Sequence, residues 1–150
     1  MKKLILPVRY AIAISGCLIA YFLILALFKL HTNPVFSFFN AIISAFGIYA
    51  AIKYYKLEQG NAFEYSKGFI VGILTGFIST IIFTIFFTVY ATEIDSEFLP
   101  NLLKVIDREY DDSIGIIAFV VAIMGFSSTV VITLAFMQYF KNSWNPTENK

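Results

Sequence analysis

The sequence predicts an all-α, polytopic membrane protein, with four transmembrane helices and an amphipathic helix in the outer loop between spans three and four. Three observations carry that expectation. First, Tyr10–Phe28 and Pro34–Ile52 each run 19 residues without Asp, Glu, Lys, Arg or His, Gly68–Thr92 runs 25, and Ser113–Phe140 runs 28. Apolar runs of that length are long enough to cross the hydrocarbon core of a bilayer. Second, hydrophobic residues make up 59% of the chain and charged residues 14%, against roughly 45–50% and 25% in soluble globular proteins. Third, hydrocarbon offers no hydrogen bonds, so each run has to satisfy its backbone internally and must be a helix. The 150 residues read as a single membrane domain, with the lipid bilayer as its main partner.

Span one covers about residues 10–30. It contains Cys17, the single cysteine, which excludes an intramolecular disulfide and any multi-cysteine metal site. Ile14-Ser15-Gly16-Cys17 after Lys2-Lys3 has the outline of a lipoprotein signal. Arg9 interrupts its apolar core, however, and the uncharged run continues 11 residues beyond the cysteine. Cys17 is therefore expected to be a small buried residue and the N-terminal segment an uncleaved first span. His31-Thr32-Asn33-Pro34 is a short linker in which Asn33 suits a helix N-cap and Pro34 a first turn. His31 itself reads as a solvated interfacial side chain. Span two, about 34–55, forms a tight antiparallel hairpin with span one.

Gly60-Asn61 breaks the chain, and Asn61 with Glu64 has the form of a capping box, placing the start of helix three near Ala62. Span three covers about 68–92. In the loop that follows, Phe98, Leu99, Leu102, Leu103, Ile106 and Tyr110 recur at helical spacing among charged residues, which predicts an amphipathic helix over about 96–110 with Pro100 in its first turn. Such a helix lies in the membrane interface, caps the bundle or docks a partner. The net negative charge of the loop weakens the case for anionic lipid there, and capping is the simplest reading. Span four covers about 113–140. Spans one–two and three–four differ in length and motif, so an inverted-repeat transporter has no support.

The most informative pattern lies in span three, where Gly68, Gly72, Gly76, Thr80, Thr84 and Thr88 recur at every fourth position. Lipid tails give helices no hydrophobic reason to associate, and small residues allow the close backbone approach that takes its place. Four residues turn about 400°, so the row drifts about 40° per step and winds some 200° round the helix. The glycine half is therefore expected to pack against one neighbour and the threonine half against another. Ser37/Ala41/Ala45 in span two, and Ala118/Ala122 and Gly125/Thr129/Thr133 in span four, are the candidate complements. Packing within the bundle, a homo-oligomer or partner contact, and a pore-lining role all fit the pattern.

Coupled carriers and intramembrane enzymes place acids, bases or metal ligands at membrane depth, and none of the four uncharged runs has one. Serine–histidine–aspartate or two-carboxylate constellations cannot be assembled from one interfacial histidine and loop acids. No catalytic, cofactor-binding or metal site is expected, and no cofactor. The chain has no basic run or motif for nucleic acid. The expected role is that of a non-enzymatic accessory, assembly or structural partner working through helix contacts, in a homo-oligomer or with another membrane protein. The alternative is a small transporter or channel formed by oligomerisation, with the hydroxyls of span three lining the path.

Gln59–Ser79, QGNAFEYSKGFIVGILTGFIS, resembles a family of small four-helix integral membrane proteins of unknown function from Gram-negative bacteria, in which a Phe-centred polar turn leads into a glycine-punctuated span. The polar helical outer loop and short basic tail are also similar, although the loop is shorter and span four lacks an acidic or proline mark at its start. The resemblance implies the four-helix fold and a bacterial inner membrane location, and no activity.

Lys2, Lys3, Arg9, Lys53, Lys56, Lys67, Lys141 and Lys150 fall on one side if the spans alternate, and Lys29, Lys104 and Arg108 on the other. Eight basic residues against three place both termini in the cytoplasm by the positive-inside rule. Reporter fusions after Lys150 and within Glu97–Asp112 are expected to report opposite compartments, the first cytoplasmic; a cytoplasmic signal from both would overturn the topology.

Overall fold

The computed structural model describes residues 2–31, 33–95, 98–105 and 114–141, and among these every regular element is helical. Five α-helices follow in order: α1 (Lys2–Leu27), α2 (Ser37–Gln59), α3 (Tyr65–Val89), α4 (Phe98–Val105) and α5 (Ile114–Phe140). Four helical stretches, Ile5–Leu27, Ser37–Ala62, Tyr65–Ile94 and Ile114–Phe140, are long and apolar enough to cross a membrane. The chain is a multi-pass, all-α membrane protein.

The spans alternate in direction. Tyr10 of α1 lies against Tyr54 of α2, Lys56 of α2 reaches the carbonyl of Phe140 in α5, and Gly68 of α3 meets Met137 of α5. The start of α1, the end of α2, the start of α3 and the end of α5 therefore share one end of the bundle, which is the end carrying most of the basic residues. Helix α3 is central and packs on α1, α2 and α5, while α2 also touches α1 and α5. The core at the basic end is aliphatic, built from Ile14, Leu18, Ile48, Ile52, Met137 and Phe140. At the opposite end it is aromatic, built round Phe22, Phe87, Tyr90 and Phe98.

Several boundaries depart from the sequence expectations, each for a local reason. Helix α1 stops at Leu27 because Lys29 takes a left-handed backbone with φ 57°. The Lys29 N–H then donates to Ala26 O at 3.0 Å and the Leu30 N–H to Leu25 O at 2.9 Å, a Schellman closure of the kind glycine usually makes. Asn33 does cap, but what it caps is a 3₁₀ turn over Pro34–Phe36: its Oδ1 accepts the Val35 N–H at 3.0 Å. The Asn61–Glu64 capping box is absent. Gly60, at φ 52°, ends α2, Asn61 is taken into a 3₁₀ turn, and α3 begins only at Tyr65. Glu64 occupies the N-cap with its carboxylate paired to Lys67 instead of to backbone. Cys17 is exposed on the outer surface of α1, not buried.

The outer amphipathic helix is present as α4 over Phe98–Val105; residues 96, 97 and 106–110 of the predicted range lie outside the described residues. Its first residue anchors it. Phe98 is 2% exposed and sits among Phe22, Phe87 and Tyr90, with Leu102 packed behind it. This fits a cap on the bundle. Truncating a fully buried phenylalanine costs about 3 kcal/mol or more in a well-packed site. Phe98→Ala is accordingly expected to lower the melting temperature of the purified protein clearly, and Leu99→Ala by less than half as much. Equal, small losses would mean that α4 is not held by its first residue.

Candidate functional site

The span-three row meets α5 in antiparallel register. A Cβ placed on Gly68 would lie 3.1 Å from Met137 Cε, and one on Gly72 2.6 Å from Thr133 Cγ2. One on Gly76 would overlap the Thr129 side chain, and one on Gly125 would lie 2.5 Å from Thr80 Cγ2. The pairs 68/137, 72/133, 76/129 and 80/125 step by four on both helices. Two i±4 ridges interlock, each glycine receiving the side chain that faces it. The polarity reverses along the seam: α3 supplies glycine at 72 and 76, and α5 supplies it at 125.

Thr80 thus shares a partner helix with the glycines, and the division expected between the glycine and threonine halves does not fall there. Three steps of drift amount to about 120°, which one obliquely packed helix follows. Beyond Thr80 the small complements end. The residues continuing the α5 row are Val121 and Ile117, which pack into the aromatic cluster. Thr84 and Thr88 are half-buried, and the Thr88 hydroxyl donates to Thr84 O at 2.9 Å. Of the proposed complements, Gly125/Thr129/Thr133 lies in the seam, whereas Ser37 and Ala41 of α2 are exposed. Helix α2 makes its close approach elsewhere, where Gly47 leaves room for Ile14 of α1.

A second row on α3 escaped the sequence reading. Val71, Thr75 and Ser79 are buried, Val71 against Ala51 and Tyr55 of α2. The Thr75 hydroxyl donates to Val71 O at 2.7 Å and Ser79 to Gly76 O at 2.9 Å, so these side chains satisfy themselves on their own helix and leave a smooth surface. The four-residue spacing was the available signal, but without a glycine to start it the row resembled ordinary apolar sequence. Thr133 and Thr84 are different: their buried hydroxyl oxygens have no hydrogen-bond partner among the described residues.

The other missed residue is His31, whose side chain is only 8% exposed. Its imidazole is stacked on Phe98 at 4.9 Å and 17°, with the rings of Phe22 and Tyr90 set edgewise at 5.8 and 6.0 Å. Nε2 lies 3.6 Å from Asp95 Oδ2, within ion-pair reach but longer than a hydrogen bond. A π-helical turn over Tyr90–Ile94, closed by the Asp95 N–H donating to Tyr90 O at 3.0 Å, brings Tyr90 and Asp95 to the histidine. Linker, π turn and α4 are thus joined at one point. Nothing within the linker's own sequence announces this, because every ring around His31 comes from another segment.

Among the described residues no group of three or more His, Cys, Asp or Glu side chains is arranged to hold a metal ion. Residues 9–142 match the family described as "Protein of unknown function (DUF4199)". No curated protein and no solved structure matches the chain.

The interlock makes a specific demand on stability. Gly76→Thr sets a branched side chain against Thr129 and is expected to cost about 1–3 kcal/mol through overpacking. Adding Thr129→Gly recreates the polarity of the 80/125 pair, and the double variant is expected to recover about 1 kcal/mol relative to additive losses, within the usual range of contact coupling. Ile85→Leu, on the exposed side of α3, is the neutral control. Melting curves in detergent are read for the parent protein, Gly76→Thr, Thr129→Gly, the double variant and the control. Strictly additive losses would show that the two residues do not face each other.

Proposed function

The chain belongs to this family of proteins of unknown function, and from that premise we propose that it is a non-enzymatic accessory, assembly or structural subunit acting through helix–helix contacts. The observation that carries the reading is the closure of the α3–α5 seam. Thr75, Thr133, Ile48, Ile52 and Met137 are fully buried, and the glycine positions bring the helices too close for a solute path between them. The α5 surface, with Phe119, Met124 and Val131 exposed, is directed outward to lipid or to another chain. The basic residues gathered at one end support both termini being cytoplasmic, and the resemblance over Gln59–Ser79 supports a bacterial inner membrane setting.

Extraction in mild detergent followed by affinity purification tests the proposal. The expected outcome is a defined complex, either of several copies or with a second membrane protein in fixed stoichiometry. Ion conduction or solute movement by the purified protein after reconstitution, whether by one copy or by several, would replace the proposal with the transporter reading.

A further inference from the structure

We propose that the groove between the C-terminal ends of α2 and α5 binds the phosphodiester headgroup of an anionic phospholipid. The groove has a volume of about 620 Å³ and is lined by Lys53, Lys56, Leu57, Gly60, Tyr139 and Phe140. It lies at the ends of the uncharged runs Pro34–Ile52 and Ser113–Phe140, where a span is expected to meet the lipid headgroups. Basic clefts between helices at that level suit anionic headgroups.

Its charge is positive and held in place. Lys56 Nζ donates to Phe140 O at 3.0 Å and stands 5.4 and 5.5 Å from the rings of Phe63 and Phe140. That contact offsets the partial negative charge at the end of α5, which would otherwise repel an anion. Lys53 Nζ lies 5.6 Å from the ring centre of Tyr49 on the same helix and is the exposed cation of the groove. Among the described residues no carboxylate lines the groove. Glu58 lies five residues from Lys53, about 140° round α2, and Glu64 is paired with Lys67. Among the described residues no atom lies within 4 Å of where a Cβ on Gly60 would stand. Exposed Leu57 and Tyr139 at the same site offer apolar surface to acyl chains and glycerol, which a free phosphate ion would not use.

Binding is best read by native mass spectrometry of the whole chain in detergent, with phosphatidylglycerol and phosphatidylcholine of matched acyl chains and with inorganic phosphate as separate probes. Phosphatidylglycerol is expected to be retained several-fold better than phosphatidylcholine. Lys53→Ala is expected to reduce that retention about fivefold, from the effect of one basic residue near a membrane surface, while Lys53→Arg and Lys67→Ala keep it. Equal retention of the two lipids would overturn the proposal, as would an unaffected Lys53→Ala variant. Loss of equal size in Lys67→Ala would mean diffuse attraction in place of a site, and binding of inorganic phosphate as strong as that of lipid would assign the groove to a free anion. None of these outcomes depends on whether the protein has a protein partner.

Discussion

Helices already in hydrocarbon gain nothing by leaving it, so association rests on how closely their backbones can approach. In this chain that constraint is met most extensively along one line, where the small residues of α3 and α5 interlock from Gly68/Met137 to Thr80/Gly125, with a second close approach where Gly47 of α2 receives Ile14 of α1. The remaining packing follows from it. With α5 fixed on one side of α3, the neighbouring Val71/Thr75/Ser79 row faces the other spans, and α2 bridges the two sides through Ile48 and Ile52 in the core and Ala51 beside Val71. Helix α3 is central because it has two smooth faces, and the other spans have one or none.

Hydroxyls are what make those faces smooth without becoming costly. A serine or threonine that returns its proton to a carbonyl three or four residues back presents mainly its methyl or methylene surface to the neighbouring helix. Thr75, Ser79 and Thr88 all do so. Their contribution is shape, and interhelical hydrogen bonding of about 0.6–2 kcal/mol per pair is not what holds α3 in place.

How much of this was legible in the sequence depended on whether the signal was local. The uncharged runs fixed the number and course of the helices, because the constraint behind them acts residue by residue. The span-three row was visible for the same reason, and Gly125/Thr129/Thr133 could be named as a complement, since a matching four-residue spacing is itself local. What could not be read was which rows would be used. Ser37/Ala41 has the same small-residue pattern and is exposed, because α1 found Gly47 instead. Helix ends were misplaced where two local signals competed: at Asn61–Glu64 the positive φ of Gly60 prevailed over the capping box, and at Lys29 a left-handed non-glycine ended α1 early. The sequence alone leaves His31 solvated because its surroundings, Phe22, Tyr90, Asp95 and Phe98, are spread over 77 positions of the chain.

The two ends of α3 follow different packing rules, and the outer connection is shaped by the change. Near its start, glycine and threonine let the helices approach closely. Past Thr80 the contacts pass to Phe83, Phe86, Phe87 and Tyr90 round Phe22. Phe98 and His31 join these rings, one from each outer connection, stacked face to face, and supply dispersion contacts that the ring surfaces would otherwise lack. The π turn at Tyr90–Ile94 is the adjustment that allows this: five residues closing one hydrogen-bonded turn rotate the chain that follows. Asp95 is thereby directed toward the histidine, and Phe98 back into the bundle. A regular α-helical exit from α3 would set both residues at a different angle about the helix axis.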